Sequence, residues 1–282
     1  MRFTKMEALG NDYVYVDGRT ERVTDASALA VRISDRHFGV GADGLILIMP
    51  SDVADARMEM YNADGTRGKM CGNGIRCVAK YVYEHDIARK DEITIETDCG
   101  TRRLQLFVSH GEVERVRVDM GTPELERTHV PMTGPAGRVV GEDLTVLDRT
   151  FKVTALSMGN PHCVTFVDDV DTFDVARYGG AAAHHRVFPE GVNVEFAEVV
   201  DVRHVKMRVW ERGSGETLAC GTGACAVCVA SVLNGLTERG ITVHLRGGDL
   251  DVTWSEGDDA VIMTGPAREV FTGEWPEPGV RA

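Results

Sequence analysis

The stretch Met70-Cys71-Gly72-Asn73-Gly74 decides the fold, because it returns later in the chain as Ala219-Cys220-Gly221-Thr222-Gly223. The dipeptides Gly10-Asn11 and Gly159-Asn160 precede the two copies by the same distance. One offset of 149 positions (160 − 11 and 220 − 71) therefore relates both pairs. A fixed internal spacing is typical of a repeated structural unit. The sequence predicts two copies of one unit.

Hydrophobic patterning predicts mixed α and β structure in each copy. Short segments that alternate between apolar and polar residues indicate strands. After the first cysteine stretch, Ile75, Val78, Ala79 and Val82 recur at the spacing of a helix with one buried face. A second helix is predicted at Thr222 to Leu236. The segment from 121 to 148, rich in Gly, Pro and Thr, is the natural boundary between the copies.

Composition narrows the class of protein. The chain has 282 residues, with 31 Lys and Arg against 44 Asp and Glu, a net charge of −13 that disfavours nucleic acid or anionic membrane as a partner. No apolar run approaches the roughly 18 residues of a membrane span, and the N-terminus has no apolar signal core. Seven cysteines is an odd number, which favours reduced thiols. We expect a cytoplasmic protein.

The cysteines supply the functional hypothesis. Only Cys71 and Cys220 map onto each other under the offset, and each precedes a predicted helix. A helix N-terminus stabilises anions and lowers the pKa of a cysteine there, while neighbouring glycines let a small carboxylate approach the backbone. One thiol on each face of a carbon, in a cleft between the two copies, is the arrangement that racemisation requires. Two buried cysteines with glycine caps are the alternative interpretation.

A series of ordered blocks adds a family resemblance. They are Leu9-Gly10-Asn11-Asp12, Asp35-Arg36-His37-Phe38-Gly39-Val40-Gly41, Tyr61-Asn62-Ala63-Asp64-Gly65, Cys71-Gly72-Asn73-Gly74-Ile75-Arg76-Cys77, Ser157-Met158-Gly159-Asn160-Pro161-His162-Cys163, Glu211-Arg212-Gly213-Ser214-Gly215-Glu216-Thr217 and Ala219-Cys220-Gly221-Thr222-Gly223-Ala224-Cys225. Together they resemble the diaminopimelate epimerase family, cofactor-independent enzymes that interconvert LL- and meso-diaminopimelate.

The resemblance implies a role for each matching position. Cys71 and Cys220 would be the catalytic acid–base pair, and His162 and Glu211 would modulate the pKa values of the thiols. The other positions would bind the amino-acid substrate: Asn11, Gly44, Asn62, Gly72, Asn73, Asn160, Asn193, Glu211, Arg212, Gly221 and Thr222. Some members carry Gln at position 44, so a contact at Gly44 is either absent or made by the backbone. No cofactor and no metal is implied.

The resemblance also implies an architecture. The fold would be α/β (α+β), with two pseudo-symmetric lobes, each a mixed β-sheet or barrel wrapped around a central helix. The first lobe would comprise residues 1–119 plus 266–282, and the second 120–265. The protein would be a homodimer, with Phe271 at the interface where some members place a Tyr.

Other motifs in the sequence suggest other functions, but each of them lacks part of the context that its function requires. The pattern from Gly39 to Gly44 fits a dinucleotide loop, but it follows a predicted helix and opens a strand, which is the reverse of the required context. Cys220, Cys225 and Cys228 have iron–sulfur spacing without a fourth cysteine downstream. His184-His185 indicates a solvated turn, and the acidic run from 168 to 171 a helix cap. The alternative functions are a two-cysteine racemase for proline or histidine and, more remotely, a non-catalytic or iron–sulfur binding protein.

Overall fold

The computed structural model describes residues 1–276 and divides into two compact units. One comprises Met1–Val118 together with the chain from Gly265 onward, and the other comprises Asp119–Thr264. The first unit contains β1 (Arg2–Ala8), β2 (Asn11–Asp17), α1 (Ala26–Ser34), β3 (Gly44–Met49), β4 (Ala56–Asn62), β5 (Arg67–Gly68), α2 (Gly72–Glu84), β6 (Glu92–Thr97), β7 (Gly100–Ser109) and β8 (Glu112–Asp119).

The second unit opens with a 3-10 helix at Arg127–His129. It continues with β9 (Val139–Val146), β10 (Arg149–Ser157), β11 (Pro161–Phe166), α3 (Val175–Ala183), β12 (Asn193–Asp201), β13 (His204–Glu211), β14 (Gly215–Thr217), α4 (Gly221–Leu233), β15 (Gly240–Leu245), β16 (Gly248–Trp254) and β17 (Val261–Pro266). The last strand, β18 (Arg268–Glu274), pairs antiparallel with β1 and so belongs to the first unit. Of the predicted first lobe, residues 277–282 lie outside the described residues.

The two units repeat one another in strand register. Tyr13 of β2 lies opposite Gly44 of β3 in a parallel pair, and His162 of β11 lies opposite Asn193 of β12 in the same arrangement. Each residue of the second pair stands 149 positions after its counterpart (13 to 162, 44 to 193). α1 and α3, and likewise α2 and α4, have bounds related by that offset. The predicted mixed α/β fold and its internal duplication are confirmed.

Side chains at equivalent positions begin the helices. Asp25 caps α1 by accepting from the backbone N–H of the third helical residue, and Asp174 does the same for α3. Cys71 and Cys220 occupy the N-cap positions of α2 and α4, and their sulfurs accept equivalent bonds. Such caps satisfy N–H groups that have no partner inside the helix.

α2 and α4 are the central helices of their units. Every residue of α2 from Gly72 through Tyr83 is buried, and α4 is buried at Gly221 and from Gly223 through Ser231. α2 includes the buried Arg76, whose guanidinium donates to the carbonyls of Gly72 and Pro266. The predicted central helices are confirmed. Among residues 1–276, no helix is long and apolar enough to cross a membrane.

Among the elements that the sequence does not predict are the helix α3 and the strand β9. α3 carries Gly179 and Gly180, which weaken the helix signal. The structure explains Gly179, because a Cβ there would lie 2.6 Å from the Cβ of Trp210. β9 lies inside the segment interpreted as a boundary, and its pairing with β10 is irregular between Val153 and Ala155. Within β9 itself, Gly141 adopts a φ of +64° and interrupts the alternation that would have identified a strand.

Buried thiols away from the paired cysteines predict a pH effect on stability. Burial raises the pKa of Cys77 and Cys228 to about 12, and that of Cys163 beyond this range, whereas unfolded thiols titrate near 9.0. Above pH 9 the unfolded chain therefore loses protons that the folded chain keeps. We expect the free energy of unfolding to fall by about 1.4 kcal/mol per pH unit for each such thiol.

Urea unfolding at pH 8 and pH 10 measures this effect. Cys163→Ala removes one buried thiol, so the fall with pH should be smaller in this variant than in the wild type. Cys99→Ala is the matched control, because Cys99 is exposed and its removal should leave the pH dependence unchanged. An identical fall in wild type and Cys163→Ala would contradict the prediction.

Candidate active site

In the first unit, a hydrogen-bonded chain leads from Cys71 to a carboxylate. The Cys71 sulfur accepts from the Gly74 N–H at 3.3 Å, and the thiol donates to Asn11 Oδ1 at 3.4 Å. Asn11 Nδ2 donates in turn to Asp43 Oδ2 at 2.7 Å, and the Asp12 N–H donates to the same oxygen at 3.2 Å. Asp43 thereby orients the Asn11 amide with its oxygen toward the thiol.

Asp43 was missed by the sequence analysis, although it stands inside the glycine-rich pattern from Gly39 to Gly44. That loop joins α1 to β3, so it follows a helix and opens a strand, as the sequence predicted. Arg36 bridges Asp43 and Asp12 with contacts of 2.8 and 2.9 Å. The loop therefore fixes a carboxylate behind Asn11. An acidic residue inside a glycine-rich pattern is the sequence signal that could have identified Asp43.

The other predicted positions of this unit have separate contacts. Asn62 Nδ2 donates to Thr66 Oγ1 at 2.9 Å. Asn73 Oδ1 accepts from Arg76 Nη2 at 3.0 Å, so its side chain is engaged within α2, while Gly72 and Asn73 form the first turn of that helix. Gly44 lies opposite Asn62, and a Cβ there would overlap the Tyr61 carbonyl oxygen. At Gly44 only backbone is present to meet a ligand.

Cys220 is the corresponding residue of the second unit, but its surroundings differ. Its sulfur accepts from the Gly223 N–H at 3.3 Å and lies 3.4 Å from Thr222 Oγ1. The residue is only 7% exposed. Burial raises the pKa of this thiol well above its ordinary 9.0, and the carboxylates of Glu211 and Glu195 raise it further.

The hydrogen bonds from Thr222 and Gly223 lower the pKa of Cys220, but less than burial raises it. The expectation that the helix N-terminus would lower this pKa is therefore wrong, because desolvation of the thiolate outweighs the helix contribution. Cys220 holds its proton at neutral pH.

Glu211, Arg212 and Asn193 form one group at the ends of β12 and β13. Glu211 Oε1 accepts from Thr217 Oγ1 at 2.6 Å. The Arg212 N–H donates to Asn193 Oδ1 at 3.0 Å, and its Nη1 donates to the Glu190 carbonyl at 3.0 Å. These bonds fix the base of the Arg212 side chain and one arm of its guanidinium, which is exposed.

His162 lies opposite Asn193 in the parallel pair of β11 and β12, and it is fully buried. Its Nδ1 is 2.7 Å from Glu195 Oε1, and its Nε2 is 3.1 Å from Asn160 Oδ1. Glu195 was not identified from the sequence. The signal was available, because Glu195 follows Asn193 by two residues, points to the same face of the strand, and interrupts an apolar run.

The acidic loop of the second unit is not a helix cap. Asp174 caps α3, whereas Asp169 accepts from the N–H groups of Asp171 and Thr172 within the loop. Carboxylate oxygens of Asp169, Asp171 and Glu198 lie within 4.8 Å of one another. Lys206 Nζ lies 2.9 Å from Asp171 Oδ2 and 3.6 Å from Glu198 Oε1, and it compensates part of this negative charge.

The family model and the relatives found by sequence agree on one family. The family model described as diaminopimelate epimerase matches residues 3–126 and 154–270. The diaminopimelate epimerase of Pelotomaculum thermopropionicum is 54% identical over 278 residues, which cover 98% of this chain and 99% of that protein. The chain belongs to the diaminopimelate epimerase family. The diaminopimelate epimerase of Acetivibrio thermocellus is 52% identical over 274 residues, covering 97% and 98% of the two chains. The predicted family and the enzyme class, an isomerase, are confirmed.

Solved structures share the fold of this family member at low sequence identity. A phenazine biosynthesis protein of the PhzF family from Bacillus anthracis superposes with a TM-score of 0.73 at 18% identity, over 98% of this chain and 99% of that one. A probable proline racemase from Agrobacterium radiobacter gives a TM-score of 0.70 at 15% identity, over 99% and 94%. The duplicated fold is thus common to proteins of differing function.

Proposed function

We propose that this protein interconverts LL- and meso-diaminopimelate by passing the α-proton between Cys71 and Cys220, with no cofactor. One observation carries the proposal. Both cysteines are N-caps of the buried central helices, and both sulfurs accept the N–H of the third helical residue at 3.3 Å. No other pair of cysteines in the chain is related by the duplication. The duplication gives the two sulfurs equivalent positions in their units. This supports a reaction that needs one thiol on each of the two faces of a carbon.

The proton moves from carbon to one sulfur and from the other sulfur to carbon. In one direction Cys71 is the base, and Cys220, whose raised pKa keeps it protonated, is the acid. In the opposite direction the two roles exchange. The α-carboxylate would accept backbone N–H groups at the first turns of both helices, from Gly72 and Asn73 and from Gly221 and Thr222. These donors stabilise the negative charge that develops when the α-carbon loses its proton.

Binding of the rest of the substrate would rely on amides and one guanidinium. Asn11, Asn62, Asn160 and Asn193 offer both donors and acceptors to the amino groups and carboxylates of diaminopimelate. Glu211 would accept from an ammonium group while it and His162 modulate the thiols. Arg212 would pair with the remote carboxylate, which needs a cationic partner once it leaves water.

We also propose that the two units act as the predicted lobes, 1–119 plus 266–282 and 120–265, in a cytoplasmic homodimer. Phe271 of β18 is 47% exposed and packs edge-to-face on Phe3, with ring centroids 6.0 Å apart. An exposed aromatic ring braced in this way suits an interface between copies of the chain.

Assay of the purified protein with LL-diaminopimelate, proline and histidine tests the proposed function. We expect the meso epimer to form from LL-diaminopimelate, with no change in the optical rotation of proline or histidine. Racemisation of proline or histidine without conversion of diaminopimelate would replace the proposal with the racemase alternative. The assay is run after treatment with a chelator, and activity lost on chelation would contradict the cofactor-independent mechanism.

A further inference from the structure

The His162–Glu195 pair is buried beyond what ordinary packing explains. Both side chains are 0% exposed, and Glu195 Oε1 lies 2.7 Å from His162 Nδ1. The second oxygen of Glu195 is buried without a hydrogen-bond partner among residues 1–276. Burying a carboxylate is unfavourable unless it is well paired, and such pairs often give less stability than apolar residues.

The duplication provides an internal comparison. Under the 149-position offset, His162 corresponds to Tyr13 and Glu195 to Ile46. Both residues of the first unit are also buried. They occupy the same place in the fold, since a Cβ added at Gly74 would lie 2.8 Å from Ile46 Cδ1, and one at Gly223 would lie 2.8 Å from Glu195 Oε1. The fold therefore accepts an apolar residue at this position.

The contacts of the pair indicate what the charge does. Asn11 and Asn160 are equivalent residues of the two units. In the first unit a carboxylate, Asp43, bonds directly to Asn11. In the second unit His162 Nε2 lies 3.1 Å from Asn160 Oδ1. The carboxylate of Glu195 contacts His162 and not the asparagine itself. Each unit thus anchors its asparagine amide to a buried or half-buried carboxylate.

We infer that Glu195 is a positioning residue. It accepts a hydrogen bond from the His162 Nδ1–H and thereby holds the imidazole and, through it, the Asn160 amide in the orientation that the reaction uses. The inference rests on the proposed function, in which Asn160 binds substrate. A carboxylate and an amide oxygen only accept, so the contacts with Glu195 and with Asn160 Oδ1 require both ring nitrogens of His162 to donate, and together they fix the ring orientation. The same carboxylate contributes to the raised pKa of Cys220.

Two substitutions at one position test the inference. Glu195→Gln keeps an oxygen that can accept from Nδ1, whereas Glu195→Ile copies the residue of the first unit and removes the acceptor. We expect Glu195→Ile to fold and to lower kcat/KM about 10- to 100-fold, and Glu195→Gln to retain most of the activity. Glu238→Gln is the matched control, because Glu238 is an exposed carboxylate paired with Arg203. Its kcat/KM should be unchanged.

Two kinetic outcomes would overturn the inference. The first is a folded Glu195→Ile variant with wild-type kcat/KM. The second is a Glu195→Gln variant as impaired as Glu195→Ile, which would mean that acceptance of the hydrogen bond is not what matters. Folding is checked by circular dichroism and thermal unfolding of each variant.

A measurement on the unsubstituted protein keeps the test independent of variant folding and of substrate identity. Nitrogen NMR of protein labelled in its nine histidines, with His162 assigned from the spectrum of His162→Gln, reports which ring nitrogen carries the proton. We expect Nδ1 of His162 to be protonated, and an unprotonated Nδ1 would overturn the inference. Wild-type protein inactive on diaminopimelate would instead count against the proposed function, while the NMR result would stand.

Discussion

Alanine at Cys220 should lower kcat for diaminopimelate epimerisation at least about 1,000-fold, and alanine at Cys71 should have an equal effect. A lost general acid or base costs typically 10²- to 10⁴-fold, and in the proposed mechanism each thiol serves one face of the carbon in both directions of the reaction. KM should change little, because in the proposed binding mode backbone N–H groups, and not the sulfurs, hold the carboxylate. Initial rates of circular dichroism change with each epimer measure the effect.

The controls are cysteines on the same helices. Cys77 lies on α2 and Cys228 on α4, both buried and away from the helix N-termini. Alanine at either position should cost stability but preserve kcat in the folded enzyme. Retention of a tenth of wild-type turnover by Cys71→Ala or Cys220→Ala would count against two essential thiols.

Alanine at Arg212 should lower kcat/KM for diaminopimelate by about 100-fold or more, chiefly through KM. In the proposed binding mode the bound substrate takes the pair of Arg212 and the remote carboxylate out of water. Removing one partner of such a pair costs about 2–5 kcal/mol, because the other charge is left without compensation. Arg212 is suited to this role because its backbone N–H is held by Asn193 and one guanidinium nitrogen by the Glu190 carbonyl. Steady-state kinetics measure the loss, and Arg212→Lys should fall between alanine and wild type.

Arg203→Ala provides the comparison for this variant. Arg203 is an exposed arginine of the same unit, paired with Glu238 at 2.8 Å. Its removal should leave both kcat and KM unchanged, since surface ion pairs contribute little. An unchanged KM in Arg212→Ala would contradict the proposed contact between Arg212 and the remote carboxylate. It would favour a smaller substrate that lacks this carboxylate.

Most of the fold could be predicted from the sequence, because the duplication repeats the same pattern of elements in two copies. The spacing of Cys71 and Cys220 located both central helices, and strand alternation located most of their surroundings. The offset makes α3 the counterpart of α1, but the sequence pattern does not predict α3, because Gly179 and Gly180 obscure the helical periodicity. Those glycines make room for Trp210, which is a tertiary contact that no local pattern shows.

The site was less predictable than the fold, for two physical reasons. Asp43 and Glu195 are not among the positions that the family motifs mark. Only the folded structure shows that Asp43 contacts Asn11 and that Glu195 contacts His162. The pKa of Cys220 depends on burial and on nearby carboxylates, and these exceed the local effect of the helix. A sequence motif shows the helix terminus but not the degree of desolvation.

The most direct test of two thiols on opposite faces is the fate of the α-hydrogen in heavy water. Starting from one epimer, we expect the product formed in the first turnovers to carry deuterium at the inverted centre, while unreacted substrate remains unlabelled. In the proposed mechanism, one sulfur keeps the proton that it removes, while the other delivers a proton taken from solvent. Product that retains the original hydrogen would indicate a single base and contradict the proposed mechanism.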